Sequence, residues 1–153
     1  MSDAQDIIEI VRRQALNTLE EIFVEIHHMM LDPEDPMFVT LEEISADDAS
    51  RPIGTAATLA AQVDHTGFYI DTLMARTPGA DWNLSWTITS TNDEGWEALK
   101  ERLRSSYEAL RESIVTREEW TEDDFEEVFS QIGHAAYHLG QIREAMAILR
   151  ADE

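Results

Sequence analysis

The chain has 153 residues, 43% of them hydrophobic and 8% aromatic, which fits one folded domain spanning 1–153 with its own core. Its 11 Lys plus Arg stand against 32 Asp plus Glu, a formal net charge of −21 that repels phosphate backbones and anionic lipid, so no nucleic acid and no membrane is expected as a partner. With no cysteine, disulfides and thiolate ligands are excluded, and any sulfur chemistry needs an external thiol.

No apolar run approaches the roughly 20 residues that span a bilayer, and Met1-Ser2-Asp3 begins no readable signal peptide, so a cytoplasmic location is expected. Residues 4–31 read as a helix. Ser2 to Gln5 forms a capping-box pattern, and Ile7, Ile8, Val11, Ala15, Leu19, Ile22, Phe23 and Ile26 recur at helical spacing. Asp32-Pro33 is the expected stop. Pro33, Pro36 and Pro52 within an acidic stretch predict a long connection over 32–52. A second helix is expected from Ile53–Thr55 to about Arg76, carrying Leu59, Val63, Thr66, Ile70 and Leu73, with Pro78-Gly79 closing it.

Trp82, Leu84, Trp86 and Ile88 alternate with polar residues, the period of an extended segment. A single such segment cannot build a sheet. It is expected to cross the helices as a packed loop, with a lid or a dimer contact as its other roles. Thr91 to Glu94 opens a third helix to about Val115, through Trp96, Leu99, Leu103, Tyr107, Leu110 and Ile114. Lys100, the only lysine, is expected on a solvated face with Glu97, Glu101 and Arg104. Thr121 to Asp124 opens the last helix, to about Arg150, through Phe125, Val128, Phe129, Ile132, Ala136, Leu139, Met146 and Leu149. Four long helices without a sheet predict an all-α four-helix bundle. Arg143 projects from the middle of the apolar stripe, so it must meet a buried carboxylate or a subunit interface.

The last helix carries His134 and His138, four apart and about 40° apart around the axis, so both imidazoles reach one point in space. A divalent metal uses two ligands on one helix in that way, and a third donor must then come from elsewhere. Both histidines fall roughly 100–140° from the apolar stripe through Ile132, Leu139 and Met146, which predicts a flank rather than the core. His65 lies roughly 110–130° from the stripe of its own helix, among Thr58, Ala61, Phe68, Tyr69 and Thr72. Matching offsets suit a cleft at the bundle edge. His27 and His28 are adjacent, face about 100° apart and sit at a helix end, so they read as surface residues. Di-iron bundles need E-x-x-H from two helices, and only Glu25 to His28 matches. Neither a G-x-S-x-G elbow nor a glycine-rich phosphate loop is present.

His65 together with His134-Ala135-Ala136-Tyr137-His138-Leu139-Gly140-Gln141-Ile142-Arg143 resembles the DinB/YfiT-like superfamily of metal-dependent four-helix proteins. The helix order and the Trp82–Trp96 region are also similar, so the resemblance covers most of the chain. It implies a divalent ion (zinc, nickel or iron) on His65, His134 and His138, with an open position for water or substrate. Some relatives are transferases or isomerases that use an external low-molecular-weight thiol, and many are homodimers. The implied activity is that of a metal-dependent transferase or hydrolase acting on a small-molecule substrate. An ion on three neutral imidazoles acidifies a coordinated water or thiol by several pK units. Tyr69 and Tyr137 are the candidate proton donors, and Gln141 the candidate hydrogen-bond partner of substrate or of a ligand imidazole. Asp64 departs from the pattern, where an apolar residue is common. The alternatives are a non-catalytic metal-binding bundle, structural or sensing, and an interaction protein with a vestigial site.

Overall fold

The computed structural model describes residues 3–54 and 56–151. Among them are six α-helices, one 3₁₀ helix and no β-strand. The α-helices are α1 (Asp3–Phe23), α2 (Met37–Glu42), α3 (Ala46–Ser50), α4 (Leu59–Ala75), α5 (Asp93–Thr116) and α6 (Glu122–Ala151), and the 3₁₀ helix is Trp82–Trp86. The all-α expectation holds. None of the described helices is long and apolar enough to cross a membrane.

α1 stops at Phe23, well short of the expected Leu31. The cause is Glu21, whose side chain is fully buried and turned back beneath the chain. Its carboxylate accepts backbone hydrogen bonds from Met29 (3.0 Å), Met30 (3.1 Å) and Leu31 (3.3 Å), which draws these amides away from a helical path. His28 takes a left-handed conformation (φ 58°) on the way. The expected capping box rests on Ser2, which lies outside the described residues.

The acidic stretch after Asp32 holds two short helices rather than one open connection. Met37, Phe38 and Leu41 on α2, and Ala46 and Ala49 on α3, bury an apolar face that the surrounding acids mask in the sequence. Phe38 joins Phe23 and Tyr107 in an aromatic cluster with ring centroids 5.0 to 5.5 Å apart. α4 begins at Leu59, later than predicted, because Thr58 caps it by accepting from the Ala61 amide at 3.3 Å. Ile53 and Gly54 belong to the turn before it, where Gly54 supplies φ +57°.

Residues 59–67 of α4 are all buried. This helix packs against α5 on one side and α6 on another, with α3 and the 3₁₀ helix over it. Asp64, adjacent to His65, therefore faces α5, where Arg102 donates to it at 2.7 Å. Burial pushes the Asp64 carboxyl up, and the guanidinium opposes that shift.

The Trp82–Ile88 alternation does not produce an extended segment. Asp81 accepts from the Asn83 amide at 3.1 Å, and this turn starts the 3₁₀ helix. α5 is capped by Asn92, one residue after the expected Thr91, with its side chain accepting from Gly95 at 2.8 Å. A Cβ at Gly95 would collide with the Thr91 side chain. Thr121 and Asp124 do form a reciprocal cap on α6, at 2.8 and 3.3 Å.

One charged residue lies elsewhere than expected. Lys100 is buried, not solvated, with its ammonium 2.8 Å from Glu97 and 2.9 Å from Glu42 on α2. Its long stem lies against the core while two carboxylates hold the charged end. Of the two places expected for Arg143, the described residues show no buried carboxylate beside it. It donates to the Asp35 carbonyl at 2.7 Å and lies 3.6 Å from the exposed Glu34, so it pins the 32–36 loop to α6.

Replacing Glu21 leaves three amides without their acceptor. Glu21→Ala is expected to lose about 2–4 kcal/mol of unfolding free energy in urea, and Glu21→Gln less, because one acceptor oxygen remains. A change in Glu21→Ala below about 0.5 kcal/mol would contradict this role.

Candidate metal centre

His65 projects from α4, and His134 and His138 from α6, into the seam between the two helices. The Nε2 of His134 lies 3.1 Å from the Nε2 of His65 and 3.1 Å from that of His138. The three sequence-predicted ligands are thus brought together, with their donor atoms all within 4.8 Å of one another.

The outer nitrogens decide which atoms face inward. Ser85 donates its hydroxyl proton to the Trp82 carbonyl at 2.7 Å, so its oxygen accepts from His65 Nδ1–H, also at 2.7 Å. On the other side, His138 Nδ1–H donates to Gln62 Oε1 at 2.5 Å. Both imidazoles therefore carry their proton on Nδ1 and present a bare Nε2. Carbonyl or hydroxyl partners fix the tautomer and aim of metal-ligating histidines in this way.

The donor set fits a divalent ion. Bonds of about 2.0–2.1 Å in a tetrahedral arrangement separate nitrogens by roughly 3.3 Å, close to the two observed edges. Burial holds the rings in their neutral, ligating form. It pushes His134 down to about 3, with the imidazoles of His138 and His65 adding to the shift. Burial and then His65 push His138 down to about 4, against an opposing contribution from Gln141. His65 is lowered by burial alone.

Aromatic rings close the site. Tyr69 stacks on His134 at 3.6 Å with an 8° tilt, and Trp86 stacks on His65 at 4.0 Å and 20°. Trp82 lies 5.4 Å from Tyr69 and 5.8 Å from Phe68. This roof explains why histidines expected on a flank rather than in the core are buried. His138 is only 3% and His65 8% exposed, because the 3₁₀ helix covers the seam that their own helices leave open.

Tyr137 stands on the open side, 61% exposed, with its ring 5.1 Å from His138. Gln141 donates to Tyr137 Oη at 2.8 Å, within its own helix. His27 and His28 take no part, and His27 instead pairs with Glu20 at 3.1 Å. Sequence reasoning missed Gln62, Ser85 and the stacking role of Trp86. Gln62 sits one helical turn before His65, yet it bonds His138 on the other helix, a pairing that helical spacing does not carry. Comparison of the chain with protein-family models, with curated proteins and with solved structures finds no match in any of the three.

The buried neutral rings set a pH signature for metal-free protein. Their folded pKa values lie below the ordinary 6.5. Between about pH 6.5 and about pH 4, an unfolded chain therefore takes up protons that the folded cluster refuses, and stability falls as pH falls. Chelator-treated protein is expected to show a steeper loss of Tm across this window than its His134→Gln variant. Equal slopes would contradict the placement of these rings.

Proposed function

We propose that this chain is a metal-dependent enzyme of the DinB/YfiT-like kind. In this reading, its four long helices form a four-helix bundle whose α4–α6 seam holds a divalent ion on His65, His134 and His138. It acts as a transferase or hydrolase on a small molecule, with an external low-molecular-weight thiol as the cosubstrate of a transfer and a homodimer as the working form. The observation that carries this reading is the meeting of three imidazole Nε2 atoms, two of them bared by the hydrogen bonds of Ser85 and Gln62.

The ligand count favours catalysis over a purely structural ion. Among the described residues the cluster holds three ligating side chains, whereas structural zinc sites are closed by four. A divalent ion there supplies Lewis acidity toward an oxygen or sulfur donor of the substrate. The chain's own groups do the rest. Gln141 donates to Tyr137 Oη, which leaves the Tyr137 hydroxyl proton free for a bound molecule. Tyr69 holds the His134 ring by stacking rather than by a hydrogen bond. The absence of cysteine supports an external source for any thiol.

Metal analysis of untagged protein tests the centre. About one zinc, nickel or iron ion per chain is expected, and little in His134→Ala. Equal metal content in the two proteins would remove the basis of the reading. Ser85→Ala is expected to weaken metal binding about 10–100-fold, because His65 loses its orienting partner. Turnover of electrophiles with bacillithiol, mycothiol or glutathione then tests the transfer. No turnover with any of them would favour a non-catalytic metal-binding protein.

A further inference from the structure

The α4–α6 seam continues past the histidines. Beyond His138 it opens into a groove of about 410 Å³, walled by Ile53, Ala56, Ala57, Ala145 and Ile148. None of the three histidines lines it, but two of their neighbours do: Gln62, whose Oε1 holds His138, and Tyr137, whose ring lies 5.1 Å from His138. Among the described residues Glu144 is the one charged side chain in the lining, with no lysine or arginine beside it.

Gly140, part of the same lining, is an independent observation. It lies in the middle of α6, where glycine is less favourable than alanine. A Cβ added there meets nothing within 4 Å, so close packing of helices does not explain the missing side chain. The space it leaves is the groove.

We propose that this groove is the substrate cleft of the metal centre, and that it takes a neutral or cationic small molecule with an apolar body. This rests on the metal-centre reading above. The volume falls within the range of small-molecule sites, about 300–1,000 Å³. The apolar walls bury the body of the molecule, and Gln62 and Tyr137 meet its polar end beside His138. Glu144, on a chain of net charge −21, disfavours an anion.

The test uses two fluorescent probes with one ring system: neutral N-phenylnaphthylamine and the anionic anilinonaphthalene sulfonate. The neutral probe is expected to bind at least about tenfold more tightly than the sulfonate. Gly140→Leu puts a side chain into the groove and is expected to weaken the neutral probe at least about tenfold while keeping its zinc and an equal or higher Tm. Ala56→Leu, at an exposed position in the same lining, keeps the test open if Gly140→Leu folds poorly. Unchanged binding in the folded variants, or equal binding of the two probes, would overturn the proposal. So would a Gly140→Leu protein that turns from dimer to monomer on size exclusion, because the groove would then be a seam between two copies. Zinc measured on the same samples separates the two readings. Zinc without probe binding overturns the groove alone, whereas probe binding without zinc overturns the metal centre and the groove's substrate role with it.

Discussion

Two bare imidazole nitrogens, both 3.1 Å from a third, are the constraint from which the rest of the structure can be understood. Lone pairs aimed at one point repel unless a proton or a cation lies between them. His134 can place a proton there, but a single proton cannot serve two acceptors well. Protonating further rings is resisted, because burial holds all three below the usual histidine range. A divalent cation meets all three demands at once, and this preference rests on Ser85 and Gln62 as much as on the ligands.

The fold supplies the rigidity such a cluster requires. α4 is clamped on its far side, where Arg102 reaches Asp64 at 2.7 Å and Asp71 at 3.2 Å, and Ser106 donates to Asp71 at 2.6 Å. Adjacent helical residues face about 100° apart, so fixing Asp64 against α5 aims His65 at α6. Asp64 is thus a rotational anchor for the histidine that follows it. The 3₁₀ helix then closes the seam with one hydroxyl and one indole: Ser85 bonds His65, and Trp86 covers its ring. Glu21 and Arg143 fix the 24–36 loop at a distance from this chemistry, which accounts for a carboxylate and a guanidinium that the site does not use.

The meeting of the three histidines was legible in the sequence because helical geometry places them. His134 and His138 share a face by their spacing, and His65 matched them by its offset from its own apolar stripe. The clamps were not legible in the same way. Ser85 is 20 residues from His65, and Gln62 is 76 from His138, and periodicity carries no information across such separations. α1 ended early because Glu21 bonds amides eight to ten residues onward, an event that neither propensity nor capping pattern encodes. The Trp82–Ile88 alternation misled for a related reason. A period of two is the mark of a strand only when a neighbouring strand accepts it, and Asp81 offered a local turn instead. Lys100 shows the limit of charge as a guide to exposure, since Glu42 and Glu97 keep its ammonium satisfied while its stem is buried.

The most direct measurement is X-ray absorption at the metal edge of protein loaded with one equivalent of zinc. The account predicts an inner shell of three imidazole nitrogens at about 2.0–2.1 Å with one further light atom, and loss of that imidazole signature in His134→Ala. A shell of carboxylate and water oxygens, or one unchanged by the substitution, would contradict it.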